Sequence, residues 1–241
     1  MRGLYGAFQF LTILPLRTKP APLGATAPWF PLVGALLGAG GGYLYLAAVN
    51  TFPKEVAALL VLAAWAIATG GLHEDALADV VDAFRSHRSP QRILAILKDS
   101  RIGAHGALAL LLFTLLRWQS LVHLALPPVR TLASALAVSR ASMIALAWIA
   151  SPAGEGLGRQ LASSLTTAGA VIAVSVGVAA AFLSGPVPGI WICSGSAAVL
   201  MFARRYFELR IGGVTGDCIG ATGFVIESWI LLLGAGQSPT Q

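Results

Sequence analysis

Three carboxylates, Asp75, Asp79 and Asp82, recur at i, i+4 and i+7 in the stretch Leu72-His73-Glu74-Asp75-Ala76-Leu77-Ala78-Asp79-Val80-Val81-Asp82. At about 100° per residue they share an arc of about 60° on one face of a helix, leaving Leu77, Val80, Val81 and Phe84 for the other. Like charges at this spacing repel by about a few tenths of a kcal/mol even when exposed. In an ordinary helix such a face is simply solvated. Here acids are scarce: only ten occur, and five of them (Glu74, Asp75, Asp79, Asp82 and Asp99) fall within 26 positions. That clustering favours a cation site. Hard oxygen donors select Mg²⁺ or Mn²⁺, and Mg²⁺ held by a few carboxylates ordinarily serves phosphate groups. His73 is a ligand, a general base or a helix-entry residue without chemistry, and the sequence leaves all three open.

Cations follow the acids. Ser89-Pro90 is a helix start, with Ser as N-cap and Pro at the first position, and Ile93, Leu94, Ile96 and Leu97 give a short amphipathic helix at a membrane surface. It runs into Lys98-Asp99-Ser100-Arg101-Ile102-Gly103-Ala104-His105-Gly106. Arg88, Lys98 and Arg101 form a cationic rim beside the acidic face, an arrangement suited to a metal-bridged polyphosphate. Arg85 and Arg92 read better as orientation charges. Near the C-terminus, Gly212-Gly213-Val214-Thr215-Gly216-Asp217-Cys218-Ile219-Gly220-Ala221 offers close backbone approach and anion-binding N–H groups around one acid. A glycine-rich loop alone is a weak signal.

What positions these residues follows from composition. The chain has 241 residues, 56% apolar and 11% charged, with mean hydropathy +0.78; soluble domains carry about 25% charged residues. A soluble globule is excluded, and the expected class is an all-α polytopic membrane protein forming a single membrane-embedded catalytic unit over 1–241. Seven runs have the character of spans: 31–49, 56–72, 104–126, 131–150, 165–184, 185–203 and 221–236. The least certain boundary is 184–189, where Gly185, Pro186 and Pro188 mark either a turn or a kink. The apolar run 4–16, interrupted by Gln9, Thr12 and Pro15, is too short to cross and reads as interfacial or re-entrant rather than as a removed signal.

Lysine and arginine in the connections set the orientation. Arg2, Arg17 and Lys19, five in the 73–103 segment, Arg159, and Arg204, Arg205 and Arg210 give twelve on one side against Lys54 and Arg130 on the other. The positive-inside rule places the twelve, the acidic segment and the 204–220 loop in the cytoplasm, so the two can build one site at the inner membrane. The net charge of +6 is thus a topology signal, and without a basic face interleaved with aromatics nucleic acid is not a partner. Cys193 and Cys218 give neither a disulfide framework nor a metal spacing. Arg140 and Glu227 fall inside spans, where charge is costly and functional by default; they pair with each other or line the site. Arg117, near a helix middle, has no account in the sequence.

The blocks 70–79, 98–106 and 212–221 resemble the three signature blocks of the cobalamin synthase (adenosylcobinamide-GDP ribazoletransferase) family. Phe10-Leu11-Thr12-Ile13-Leu14-Pro15, Ser139-Arg140 and Glu155-Gly156-Leu157-Gly158 support the match, which runs in order along essentially the whole chain. Ala76 and Ala83 stand where the family usually shows glycine.

The resemblance implies that a ribose hydroxyl of α-ribazole, or of its 5′-phosphate, attacks the cobinamide-linked phosphorus of adenosylcobinamide-GDP and that GMP leaves. It further implies Mg²⁺ on Asp75, Asp79 and Asp82, with Asp217 completing or orienting the site. Arg88, Lys98, Ser100, Arg101, Gly213, Thr215 and Gly216 become the phosphate- and substrate-binding residues. His73, Asp99 and His105 are alternative bases between which the sequence does not choose. Oligomeric state is not legible, and a homo-oligomer stays open. A CDP-alcohol-type phosphotransferase acting on lipid would use similar helices, but the 75/79/82 spacing is not Asp-x-x-Asp-Gly. A divalent-cation transporter would place several acids within spans, where only Glu227 lies.

Overall fold

The structure, a computed structural model, describes residues 2–16, 21–85 and 88–236; Arg17, Lys19, Ser86 and His87 lie outside them. Twelve α-helices follow one another among the described residues: α1 (Arg2–Leu11), α2 (Leu23–Thr26), α3 (Phe30–Ala48), α4 (Lys54–Thr69), α5 (Leu72–Ala83), α6 (Pro90–Ile96), α7 (Ala104–Val122), α8 (Pro128–Ile149), α9 (Leu157–Ser164), α10 (Thr167–Ala181), α11 (Pro186–Ile211) and α12 (Gly216–Gly234). Six stretches are long and apolar enough to cross a membrane on their own: 23–48, α7, α8, 167–184, α11 and α12. The protein is an all-α polytopic membrane protein.

Helix α8 is the axis of the bundle. It is the most buried crossing helix, and α3, α10 and α12 all pack on it. The α3 contact is backbone to backbone: a Cβ on Gly34 would stand 2.4 Å from Leu136 O, and one on Gly38 2.1 Å from Leu132 O. Small residues four apart let two helices close in where lipid supplies no hydrophobic drive between them.

The expected second span is shorter than the sequence suggested. Helix α4 has 16 residues, and Gly70 and Gly71, both left-handed (φ 64° and 69°), end it and turn the chain by 87° into α5. Left-handed φ costs other residues about 1 kcal/mol or more. The end of α4 is fixed by Gly70 N–H donating to Ile67 O (3.2 Å) and Gly71 N–H to Ala66 O (2.9 Å). Trp118 Nε1 of α7 donates to Glu55 O at one end of α4 (2.8 Å), and Ile13 N donates to Ala68 O at the other (2.9 Å). Helix α4 thus runs from one end of the bundle to the other, and α5 turns back to pack on α7 and α12.

Polar connections converge at the α1 end. Gly24 N donates to Ser164 Oγ (2.9 Å), Ala153 N donates to Val214 O and Val214 N to Ser151 O (2.8 Å each), and Tyr206 Oη donates to Phe84 O (3.1 Å). Ala125 N donates to Gly234 O (2.9 Å) at the opposite end.

The open boundary at 184–189 resolves as a turn, and two further boundaries move. Gly185 (φ 114°) and Pro186 form a tight turn between two helices, not a kink. Arg204, Arg205 and Arg210 stand on α11, which continues to Ile211, so the 204–220 segment is not a loop. The glycine-rich block is a short turn followed at once by α12, because Thr215 caps the helix by accepting from Cys218 N (3.3 Å). The expected start of α6 stands: Ser89 Oγ accepts from Arg92 N (3.3 Å), with Pro90 first in the helix. Helix α1 is too short to cross a bilayer and buries Ala7 and Leu11 against the bundle.

Candidate active site

Helix α5 carries the acids to a cavity and an adjoining groove. The cavity, about 280 Å³, is lined by His73, Asp75 and Ala76 of α5, Lys98 after α6, the 154–157 turn, and Thr215, Gly216, Asp217 and Gly220 of the α12 start. The open groove, about 660 Å³, is lined by Gly70, Gly71, Asp75, Asp79, Ser100 and Ile102. Phe10, Leu72 and Asp75 line both. The acidic helix and the glycine block, 140 residues apart, therefore meet at one site. Helix α12 packs closely enough for this because Gly220 faces Ala76, where a Cβ would come within 2.8 Å of the alanine methyl.

The three carboxylates of the α5 face do different things. Asp82 accepts from Gly103 N (2.7 Å) and Gly106 N (3.0 Å), one oxygen each. It anchors the α7 start as a carboxylate at a helix N-terminus, so both oxygens expected for metal are engaged. Asp75 and Asp79 make no side-chain hydrogen bond or ion pair among the described residues. Burial first, then Asp75, Asp217 and Asp82, pushes the Asp79 carboxyl up to about 6. Asp217 has only a long contact from Thr215 Oγ1 (3.4 Å).

Carboxylates without a strong partner, Asp217 at the cavity, Asp79 at the groove and Asp75 at both, suit a cation. Among the described residues no three His, Cys, Asp or Glu side chains gather closely enough to hold a metal by themselves. Mg²⁺ commonly takes one or two carboxylates and fills its octahedron with water and substrate phosphate, so Asp75 together with Asp79 or with Asp217 fits it when phosphate supplies the remaining donors.

The basic residues also divide. Lys98 lines the cavity and Ser100 the groove. Arg101 stands exposed and grips Asp99 through Nε (2.9 Å) and Nη2 (2.7 Å), which holds the Asp99 carboxyl at about 2. Arg88 closes the end of α5, donating to Asp82 O and to Ala83 O (3.0 Å). Gly213 packs under Ser151, whose carbonyl oxygen lies 2.2 Å from where a Cβ would sit. Arg88, Arg101, Gly213, Asp99 and His105 line neither chamber.

Of the candidate bases only His73 borders the cavity. It is buried, its Nε2 has no hydrogen-bond partner, and burial, then Arg140 and Arg117, hold its pKa well below the usual imidazole value. The intramembrane charges lie directly behind it. Glu227 receives Arg117 Nη2 on one oxygen and Arg140 Nη1 on the other, and Arg117 Nη1 also pairs with Glu74 (3.2 Å). Arg117 thus acquires a role: it ties α7 to α5 and α12, with its guanidinium 4.4 Å over the Phe224 ring.

The sequence reading missed the apolar lining, namely Phe10, Leu94, Leu97 and Met143. The 155–158 motif has no function legible in the sequence, and Glu155, Gly156 and Leu157 line the cavity.

Comparison with known proteins matches the sequence to one family. The family model described as cobalamin-5-phosphate synthase matches residues 3–235. A Geotalea daltonii protein named adenosylcobinamide-GDP ribazoletransferase is 34% identical over 240 residues, covering 96% of both chains. Proteins of the same name from Ralstonia nicotianae (33%, covering 96% of this chain and 95% of the relative) and Escherichia coli O17:K52:H18 (39%, 80% of each) are also similar. No solved structure matches the chain. The chain belongs to the cobalamin-5-phosphate synthase family.

Proposed function

We propose that the chain is an adenosylcobinamide-GDP ribazoletransferase that joins α-ribazole, or its 5′-phosphate, to the corrinoid with release of GMP. The observation that carries the reading is the meeting of three carboxylates without strong partners (Asp75, Asp79, Asp217) with Lys98 and the α12 start around one cavity and groove. That is a diphosphate site in its donor chemistry. The charged end of the bundle faces the cytoplasm of the inner membrane in this reading, in keeping with twelve basic residues against two.

A ribose hydroxyl oxygen attacks the cobinamide-linked phosphorus. A new P–O bond forms, the bond to the bridging oxygen breaks, and GMP departs with the electron pair. Asp75, with Asp79 or Asp217, would hold Mg²⁺, which would supply neutralising charge to the diphosphate and to the leaving oxygen. Lys98 and the Ser100 hydroxyl hold phosphate oxygens, and the capped N-terminus of α12 at Thr215 and Gly216 presents its positive dipole end to the same anion. His73, whose Nε2 has no hydrogen-bond partner, takes the hydroxyl proton. Its hydrogen bond forms only with substrate in place, as is common for catalytic bases.

The test is GMP release from adenosylcobinamide-GDP on adding α-ribazole and Mg²⁺. Asp75→Ala should abolish release, and His73→Asn should lower turnover about 10²-fold or more. Wild-type turnover by Asp75→Ala would overturn the assignment.

A further inference from the structure

We propose that Glu155 reads a ribose: its carboxylate accepts hydrogen bonds from the sugar hydroxyls of a nucleoside bound beside the start of α12. This rests on the transferase reading above and adds a specificity residue and the group it recognises.

The turn that carries Glu155 is built to present it. Gly154 (φ 63°) and Gly156 (φ 117°) stand on either side, both in conformations that strain any residue with a side chain. Space does not demand glycine at 156, because a Cβ there would meet nothing within 4 Å; the backbone conformation does. Arg159 Nε donates to Gly154 O (2.7 Å) and braces the turn from α9. On the other side Ala153 N and Val214 N tie the chain to the glycine block, and a Cβ on Gly158 would stand 2.7 Å from Gly216 N. Glu155 is therefore held next to the helix end whose N–H groups and dipole favour phosphate.

Held there, the carboxylate has no partner of its own. Glu155 is exposed and lines the cavity, and it makes no side-chain hydrogen bond or ion pair among the described residues. Nor is it a third metal ligand, since no three such side chains gather closely enough among those residues. Carboxylate oxygens only accept hydrogen bonds, and they repel phosphate. The partner is then a neutral donor. In a nucleotide the unit joined directly to phosphate is ribose, whose adjacent hydroxyls place two donors opposite the two carboxylate oxygens; the donors of a base lie one unit further out. An acidic side chain near a phosphate-binding helix start reads the ribose of dinucleotides in this way. Guanosine and α-ribazole both carry a ribose, so the two are separated by experiment.

Equilibrium dialysis of the protein in detergent with Mg²⁺ tests this with four probes: GMP, 2′-deoxy-GMP, α-ribazole and 2′-deoxy-α-ribazole. In the wild type at least one deoxy probe should bind about tenfold more weakly than its parent, the loss of a hydrogen bond to a charged group. A split GMP pair identifies the guanosine ribose, and a split α-ribazole pair the acceptor's. Glu155→Ala removes no contact of the fold and should close the gap by weakening the parent to the level of its deoxy form. Gly156→Ala keeps the carboxylate but strains the turn that aims it, and should narrow the same gap. No gap in the wild type, or a full gap in Glu155→Ala, overturns the assignment. A wild type that binds none of the probes and releases no GMP when given both substrates refutes the transferase reading instead.

Discussion

Replacing Asp79 with asparagine separates the stability of the fold from the chemistry of the site. Asp79 is half-buried, lacks a hydrogen-bond or ion-pair partner, and has its carboxyl raised from 3.8 to about 6 by burial and by three neighbouring acids. A carboxyl whose folded pKa exceeds its unfolded value destabilises the fold as pH rises between the two, and the loss is complete above the folded value. At pH 7 the whole penalty is present. A shift of about two units at about 1.36 kcal/mol each sets a ceiling near 3 kcal/mol, and solvent screening of a half-exposed group reduces this to about 1 kcal/mol. Asparagine keeps the shape without the charge. Asp79→Asn should therefore raise Tm at pH 7 by about 2–4 °C, with the gain vanishing below about pH 4. Mg²⁺ should stabilise the wild type more than the variant, and the variant should lose GMP release. Thermal unfolding in detergent, followed by tryptophan fluorescence from pH 4 to 8 with and without Mg²⁺, reads both effects. An unchanged or lower Tm at pH 7, or an equal Mg²⁺ increment in the two proteins, would refute the reasoning.

Asp82→Ala should move stability the opposite way, losing about 1–2 kcal/mol, because the Gly103 and Gly106 N–H groups lose their acceptor; urea titration of the two variants compares the signs. Glu227→Ala leaves two buried arginines without their shared partner and should cost about 3–5 kcal/mol, seen as loss of the monodisperse peak in size-exclusion chromatography. Gly38→Val drives a side chain into Leu132 O, and since neither backbone can yield locally it should cost about 1–3 kcal/mol, read as a lower Tm with α3 separated from α8.

The sequence made the acidic face, the α6 cap and most spans legible because each is a local pattern. Ser89-Pro90 needs only its own turn, and the i, i+4, i+7 acids need only a helix. The misread boundary at the glycine block was local too, since Thr215 is an ordinary N-cap, but the surrounding glycines suggested a loop. What stayed hidden depends on distant partners. Asp82 looks identical to Asp75 and Asp79 in spacing, yet Gly103 and Gly106, more than 20 residues on, claim both its oxygens. Arg117 makes sense only beside Glu227, 110 residues away. The apolar lining was invisible for a different reason: in a chain that is 56% apolar, Phe10, Leu97 and Met143 carry no mark that separates a substrate wall from a lipid face.

The central claim is tested most directly by counting products. Purified protein in detergent or vesicles, given adenosylcobinamide-GDP, α-ribazole and Mg²⁺, should release one GMP for each corrinoid that gains a nucleotide loop, and none when α-ribazole is left out. GMP release independent of α-ribazole, or no release from folded protein supplied with both substrates and the metal, would contradict it.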